Sequence, residues 1–140
     1  MILFLDFDGV LHPFSRPDGA FSLLPRVERV IRDFPDVDIV ISSTWREMHA
    51  LDDLRTFFSP DIRARIVDVT PVLDGAANLH VREAEITHWL RSAGREGEAW
   101  VAVDDSEWFF SPQCGNLILV DAEAGFDERA ERALRQRLAG

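Results

Sequence analysis

Two pairs of aspartates carry most of the possible chemistry in this 140-residue sequence. Asp6 and Asp8 stand in an Asp-x-Asp-Gly turn near the start of the chain, and Asp104 and Asp105 are adjacent. A run of hydroxyl side chains, 42–44, lies between the two pairs. Four carboxylates crowded into one site repel one another unless a cation joins them, and Mg²⁺ prefers such oxygen ligands. The hydroxyls and a nearby arginine could hold an anion against that metal.

The elements that must position these residues are short strands that alternate with helices. Continuous apolar runs are typical of strands buried on both faces, and they predict strands at 2–5, 37–41, 66–69, 100–103 and 117–120. Helical spacing predicts helices that begin near Pro25, cover 46–58 and 81–93, and follow a capping Asp127. This alternation predicts an α/β fold, a Rossmann-like three-layer sandwich with a five-stranded, mainly parallel sheet.

The polar residues follow the ends of three predicted strands. Asp6 and Asp8 follow the first strand, 42–44 follow the second, and Asp104 and Asp105 follow the fourth. Ligands of open parallel sheets bind beyond the carboxyl ends of the strands. We therefore expect the four carboxylates to converge on one crevice.

Residues 2–11, ILFLDFDGVL, resemble motif I of the haloacid dehalogenase-like (HAD) superfamily. Residues 39–42 and 101–105 resemble motifs II and IV of the same superfamily. The chain is also similar to a small capless branch, called Swiss Army Knife RNA repair-like, in three segments: 42–46, 86–90 and 103–108. This resemblance implies a phosphatase that depends on Mg²⁺.

The resemblance implies that Asp6 is the nucleophile and forms an aspartyl-phosphate. Asp8 would protonate the leaving alcohol and then activate the water that hydrolyses the intermediate. On the end of a strand both side chains can face the same way, while a turn at Gly9 lets the backbone approach the phosphate closely.

The same resemblance implies that the hydroxyl of Ser42 binds the transferring phosphoryl oxygens, and Ser43 is a second candidate for substrate binding. The implied ligands of Mg²⁺ are Asp6, Asp8 through its carbonyl, Asp104 and Asp105. The metal would offset the repulsion between an anionic nucleophile and an anionic phosphate.

All 15 Lys and Arg residues of the chain are Arg. A Walker A phosphate loop and a Schiff-base mechanism both need Lys, so neither is available. HAD motif III also normally supplies a Lys, and Arg82, at the start of a predicted helix, is the positional substitute. Arg46 could reach the substrate as well. For each arginine the alternative is an exposed helix cation.

Several other side chains are weaker candidates for the site. His12 follows motif I and could touch the leaving group, although an ordinary loop histidine is the simpler interpretation. Trp45 and Trp108 flank the expected site, where they would serve as an aromatic platform or pack beneath the loops. Three further histidines lack the spacing of metal ligands and are interpreted as surface or half-buried residues: His49, His80 and His88.

Composition and length bound the function further. The net charge of −10 argues against extended nucleic-acid binding, and the short apolar start predicts neither a signal peptide nor a membrane span. We expect a single cytoplasmic domain over 1–140, with one cysteine and no internal disulfide. The loops after the first and third strands are too short for a cap domain, so the site should be open to a small phosphorylated molecule or a macromolecular end.

Three functions remain after these observations. The main hypothesis is a Mg²⁺-dependent phosphatase. The second is a non-catalytic phosphate-binding or regulatory module on the same scaffold, because the motif III Lys is missing. A receiver domain ranks third. Its phosphate acceptor would be an aspartate after the third strand, and Asp68 is the aspartate near that place. The substrate and the oligomeric state do not follow from the sequence.

Overall fold

The computed structural model describes residues 1–140. Five strands form one sheet in the order β3-β2-β1-β4-β5, and every pair is parallel. The strands are β1 (Ile2–Leu5), β2 (Asp38–Ile41), β3 (Ile66–Val69), β4 (Trp100–Asp104) and β5 (Leu117–Leu119). The α/β Rossmann-like fold is confirmed, and the sheet is wholly parallel rather than mainly so.

The central strand β1 pairs with β2 on one side and with β4 on the other. Leu5, its last residue, pairs with Ile41 of β2 and with Val103 of β4. The three strands therefore end together, and the residues that follow them emerge at one edge. This shared edge is the reason why residues far apart in the chain meet in one site.

Five α-helices cover the sheet. They are α1 (Leu24–Asp33), α2 (Leu51–Thr56), α3 (Pro60–Arg63), α4 (Val81–Ser92) and α5 (Glu128–Ala139). Two short 3₁₀ helices, Thr44–Glu47 and Glu107–Phe109, follow β2 and β4.

The prediction of one helix over 46–58 is wrong. Ser43 begins a 3₁₀ turn by accepting a hydrogen bond from the amide of Trp45, and the chain is extended again at Ala50 before α2 starts. The apolar spacing of a helix over 46–58 would place Met48 on its inner face, but Met48 is 84% exposed. Pro60, which follows that range, occupies the first turn of the separate helix α3, where its missing N–H costs nothing.

Helices on both faces give the sheet two separate cores. Alternate residues of β1 point to opposite faces: Leu3 and Leu5 join the larger cluster, with residues of α1, α2, α3 and α5. Ile2 and Phe4 join a smaller cluster against α4. Because both faces are covered, the strands read as unbroken apolar runs.

The two connections that could hold a cap carry none. Residues 6–23 join β1 to α1, and residues 70–80 join β3 to α4. The first connection is tied to the body of the protein by backbone hydrogen bonds: Phe126 N–H donates to the carbonyl of Val10, and Phe14 N–H donates to that of Ala122.

None of the helices combines the length and the apolar character that crossing a membrane requires.

Candidate active site

The ends of β1 and β4 bring three aspartates together. Asp6 directly follows β1, Asp104 is the last residue of β4, and Asp105 follows it. One carboxylate oxygen from each lies within 4.8 Å of the oxygens from the other two. Asp6 and Asp104 are buried, with 7% and 1% of their surfaces exposed. We call these three residues the acidic cluster.

Burial disfavours the ionised form of the carboxyl groups of Asp6 and Asp104. Burial first, and then the neighbouring charge of Asp104, raise the pKa of Asp6 well above its ordinary value, and Arg82 only partly opposes this. Burial likewise raises the pKa of Asp104 to about 6, against the lowering effect of Arg82. Positive charge beside Asp6 and Asp104 would oppose both of these shifts.

The donor set of the acidic cluster fits a divalent cation. Only three buried side-chain polar atoms in the molecule lack a hydrogen-bond partner. Two of them, Asp104 Oδ2 and Arg82 Nε, lie 3.5 Å apart at this site. A buried carboxylate oxygen without a partner, beside two further carboxylates, is a set of hard oxygen donors of the kind that Mg²⁺ takes.

Gly9 is needed for the position of Asp105. Its φ is +75°, in the left-handed region that favours glycine, and a Cβ at this position would lie 2.3 Å from Asp105 Oδ2. The expectation was that this turn brings the backbone close to phosphate. The close approach in the structure is instead between the Gly9 backbone and the carboxylate of the acidic cluster.

The side chain of Asp8 lies outside the acidic cluster. Its Oδ1 accepts hydrogen bonds from His12 Nε2 and Arg16 Nη2, both at 2.7 Å, and its Oδ2 accepts one from Trp45 Nε1 at 3.0 Å. Because His12 Nδ1 accepts the amide N–H of Phe21, Nε2 carries the proton in the neutral ring. A metal at the cluster would meet Asp8 only through its carbonyl.

These three donors change the acidity of Asp8. Partial burial by itself would raise the pKa of this carboxyl group, but the hydrogen bonds from His12, Trp45 and Arg16 together lower it. The three hydrogen bonds therefore favour the ionised form of Asp8 over the protonated form. The sequence identified neither Arg16 nor the Trp45 contact, because both arise from loop geometry.

Ser42 and Ser43, the hydroxyl residues that follow β2, make different contacts. Ser42 directly follows β2, is buried, and donates its amide N–H to the carbonyl of Leu5 at the edge of the central strand. Ser43 was a candidate for substrate binding, but it is fully buried and its hydroxyl caps the 3₁₀ turn. Ser43 is therefore not placed to touch a substrate.

The expectation that Arg46 reaches the substrate is wrong in this structure. Its side chain is only 2% exposed. The guanidinium donates to the carbonyls of Thr70, Ser43 and Pro71, and its Nη2 lies 2.8 Å from Glu85 Oε2. With its donors committed to the scaffold, Arg46 joins the ends of β2 and β3 instead of binding an anion.

Arg82 does reach the site, and the alternative of an exposed helix cation is excluded. The residue is 6% exposed, and its Nη1 donates to Glu85 Oε1 at 2.9 Å. Its guanidinium also lies over the ring of Phe109, at 5.7 Å from the centroid. Glu85 was missed by the sequence reasoning, although its spacing from Arg82, one helical turn, was a signal that could have found it.

The remaining candidates are not members of the acidic cluster. Trp45 packs among aromatic rings that include Phe7 and Phe21. Trp108 is 65% exposed and lines a surface pocket together with Asp105. The receiver-type acceptor, Asp68, lies within β3 and accepts a hydrogen bond from Trp89 Nε1. The other three histidines are half-buried or exposed, as expected: His49, His80 and His88.

The all-parallel sheet and the Asp-x-Asp-Gly turn at the end of its central strand define a HAD-like α/β protein. The family model described as the HAD domain in Swiss Army Knife RNA repair proteins matches residues 2–130. The chain belongs to this family, and the resemblance seen in the sequence is confirmed. Comparison with curated proteins and with solved structures finds no match.

The cost of charge in the acidic cluster predicts that Asp104→Asn stabilises the metal-free protein at pH 7.5. The pKa of Asp104 is raised from 3.8 to about 6 in the folded protein. The protonated group therefore stabilises the fold in full below pH 3.8, and this stabilisation is lost as the pH rises through 6. We expect the variant to melt several degrees above the wild type at pH 7.5, and close to it at pH 4, in thermal scans with EDTA.

The control is Asp53→Asn, which makes the same chemical change on an exposed helix carboxylate and should leave the melting temperature nearly unchanged. Mg²⁺ should raise the melting temperature of the wild type and have little effect on Asp104→Asn. A variant that melts at or below the wild-type temperature at pH 7.5 contradicts this electrostatic account.

The contact of Gly9 with Asp105 predicts that Gly9→Ala damages the acidic cluster as well as the fold. Gly19→Ala is a matched control, because Gly19 also has a positive φ of +85°, but a methyl group added there would have no other atom within 4 Å. Both variants should lose about 1 kcal/mol to backbone strain. Only Gly9→Ala should lose more than that and also weaken Mg²⁺ binding in calorimetry. Equal losses in the two variants would show that the space beside Asp105 is irrelevant.

Proposed function

We propose that this protein is a Mg²⁺-dependent phosphatase that hydrolyses a phosphomonoester through an aspartyl-phosphate on Asp6. The observation that carries the proposal is the acidic cluster at the end of the central strand, with the unpartnered atoms of Asp104 and Arg82 beside it. Membership of a HAD family supports hydrolase chemistry at this position.

Asp6, Asp104 and Asp105, with the carbonyl of Asp8, are the residues that would hold Mg²⁺. When bound, the metal supplies the positive charge that lets an ionised carboxylate approach an anionic phosphate. The raised pKa of Asp6 in the metal-free protein is consistent with this requirement, because the nucleophile must be deprotonated to attack.

The proposed reaction has two displacements at phosphorus. In the first, an oxygen of Asp6 attacks, the bond from phosphorus to the ester oxygen breaks, and Asp8 gives a proton to the leaving alcohol. In the second, water attacks the aspartyl-phosphate, Asp8 takes a proton from that water, and the bond between phosphorus and Asp6 breaks. Asp6 is regenerated and inorganic phosphate leaves.

The hydrogen bonds to Asp8 favour the second of these steps. A carboxyl group whose pKa is lowered is a ready acceptor and a reluctant donor near neutral pH. Leaving groups that need little protonation should therefore react fastest. Arg16 is the most exposed of the three donors, at 41% of its side chain, so it is the one a substrate could most easily displace.

Arg82 and Ser42 are the proposed contacts for the transferring phosphoryl oxygens. Arg82 is buried beside Asp104, and a guanidinium can bind two oxygens at once. Ser42 lies at the end of β2, next to the central strand. Neither role needs proton transfer, so the missing Lys leaves the proposed reaction intact.

The proposed substrate is a phosphorylated small molecule or a macromolecular end, because neither connection forms a cap over the site. The family description names RNA repair proteins, which supports a nucleic-acid end as one source of the phosphate. The net charge of −10 limits any such contact to a terminus rather than a long tract.

A second candidate is a non-catalytic phosphate-binding or regulatory module. The observation in its favour is that Asp8 is turned away from the acidic cluster by its three donors. This candidate predicts binding of Mg²⁺ and phosphate without turnover.

The proposed nucleophile predicts that Asp6→Asn abolishes phosphate release from p-nitrophenyl phosphate with Mg²⁺. We expect a loss of at least about a thousandfold in kcat, because the attacking oxygen is removed. Asp53→Asn should keep wild-type turnover, and EDTA should stop it. Equal turnover by Asp6→Asn and wild type would overturn the proposal, whereas binding without turnover by the wild type would establish the second candidate.

The proposed role of Arg82 predicts a graded loss of activity. Arg82→Ala should lower kcat/KM by about a hundredfold, and Arg82→Lys should lose less because it keeps the charge without the two-pronged donor. Arg65→Ala is the control, since Arg65 donates only to backbone carbonyls of Val37, Ile31 and Phe34. It should lower the melting temperature and leave kcat/KM unchanged in assays run well below that temperature. Full activity in Arg82→Ala would show that another group balances the charge.

A further inference from the structure

A pocket of about 480 Å³ is lined in part by Asp8. Its wall includes Arg16, Trp45 and His49 as well, and none of Asp6, Asp104 or Asp105. The volume lies within the range of sites that hold small organic ligands. The pocket is therefore a space distinct from the acidic cluster, with Asp8 in its wall.

The wall of this pocket offers aromatic surface. Trp45 and His49 are stacked, with ring centroids 5.6 Å apart and an angle of 27° between the planes. The indole N–H of Trp45 is already used by Asp8, so the exposed part of this ring offers apolar surface rather than a hydrogen bond. Met48, 84% exposed, adds an unpartnered flexible apolar side chain at the rim.

Arg16 places one cation at the same wall. Its guanidinium carbon lies 5.4 Å from the centroid of the Trp45 ring, and its Nη2 bonds Asp8 at 2.7 Å. The backbone of Arg16 has φ +53°, in the left-handed region that favours glycine. An arginine is held in an unfavourable backbone conformation, with its guanidinium against an aromatic ring, at the edge of a pocket.

The position of the pocket follows the geometry of the proposed reaction. A group that protonates a leaving oxygen must lie within hydrogen-bond reach of it, so the leaving group occupies the Asp8 side of the phosphate. This pocket is a space that Asp8 itself lines. Its contents should therefore be the organic part of the substrate and not the phosphate.

We infer that this pocket is a leaving-group subsite that binds a planar ring carried by the alcohol of the phosphomonoester, as in a nucleoside or an aryl-substituted alcohol. The inference rests on the proposed function for the identity of the leaving side. Stacked aromatic rings and a guanidinium are the surfaces on which planar rings bind. Asp8 and Glu47 set two negative charges against Arg16, which disfavours a second phosphate as the occupant.

The test compares benzyl phosphate with cyclohexylmethyl phosphate, which differ mainly in the planarity of the ring. Binding of each to Asp6→Asn protein is measured by calorimetry with Mg²⁺, and kcat/KM is measured with the wild type. We expect benzyl phosphate to be favoured about tenfold or more in both measurements. Nucleoside 5′-monophosphates form a third arm, and tighter binding than benzyl phosphate would identify a nucleoside as the source of the ring.

Variants of the wall show whether the preference arises in this pocket. Trp45→Leu should reduce the preference at least about threefold. Because Trp45 also packs in the core, His49→Ala is added as a milder change, and it should reduce the preference by the same factor or more. Arg16→Gly should also reduce it, while relieving the backbone strain at that position. His88→Ala is the matched control for His49→Ala, because it removes an exposed histidine on α4 outside the pocket, and it should leave the preference unchanged.

The outcomes separate this inference from the proposed function. Equal binding of the two phosphates to Asp6→Asn overturns the inference, even if the wild type is an active phosphatase. A preference that survives both Trp45→Leu and His49→Ala, in variants shown to be folded by their melting curves, also overturns it. A wall-dependent preference in binding, without any turnover by the wild type, supports the subsite and rejects the phosphatase.

Discussion

The structure depends most on the burial of negative charge at the carboxyl edge of the sheet. Asp6 follows β1, Asp104 ends the adjacent strand β4, and both side chains are buried. Without compensation, such carboxylates take up protons or destabilise the fold. An acidic cluster of this kind therefore needs positive charge close by.

The protein's share of that positive charge comes from a chain of buried ion pairs. Arg46 pairs with Glu85, Glu85 pairs with Arg82, and Arg82 lies beside Asp104. Two arginines and two carboxylates cancel in pairs along this chain, so the charges of Asp6 and Asp105 have no partner within it. Glu85 contacts both arginines, which links Arg82 to Arg46. An arginine suits this bridging position better than a lysine, because its planar group can contact two carboxylates at once.

The fold and the meeting of Asp6, Asp104 and Asp105 were predictable because both follow from the strands. Unbroken apolar runs mark strands buried on both faces, and the ends of parallel strands share an edge whatever the loops do. Arg46 was not predictable in the same way. Its helix was inferred from the spacing of apolar residues, but the chain forms a 3₁₀ turn at Thr44–Glu47 and turns the guanidinium inward. The donors to Asp8 were also hidden, because loop contacts leave no periodic signal in the sequence.

A site without a cap cannot exclude water by closing over its substrate, so its groups must be held in place beforehand. The connection after β1 holds two carboxylates in this way. Gly9 turns the backbone so that the carboxylate of Asp105 fits against it. A few residues later, His12 and Arg16 hold the carboxylate of Asp8. The same short segment also contributes Asp8 and Arg16 to the wall of the pocket in which we propose that the leaving group binds.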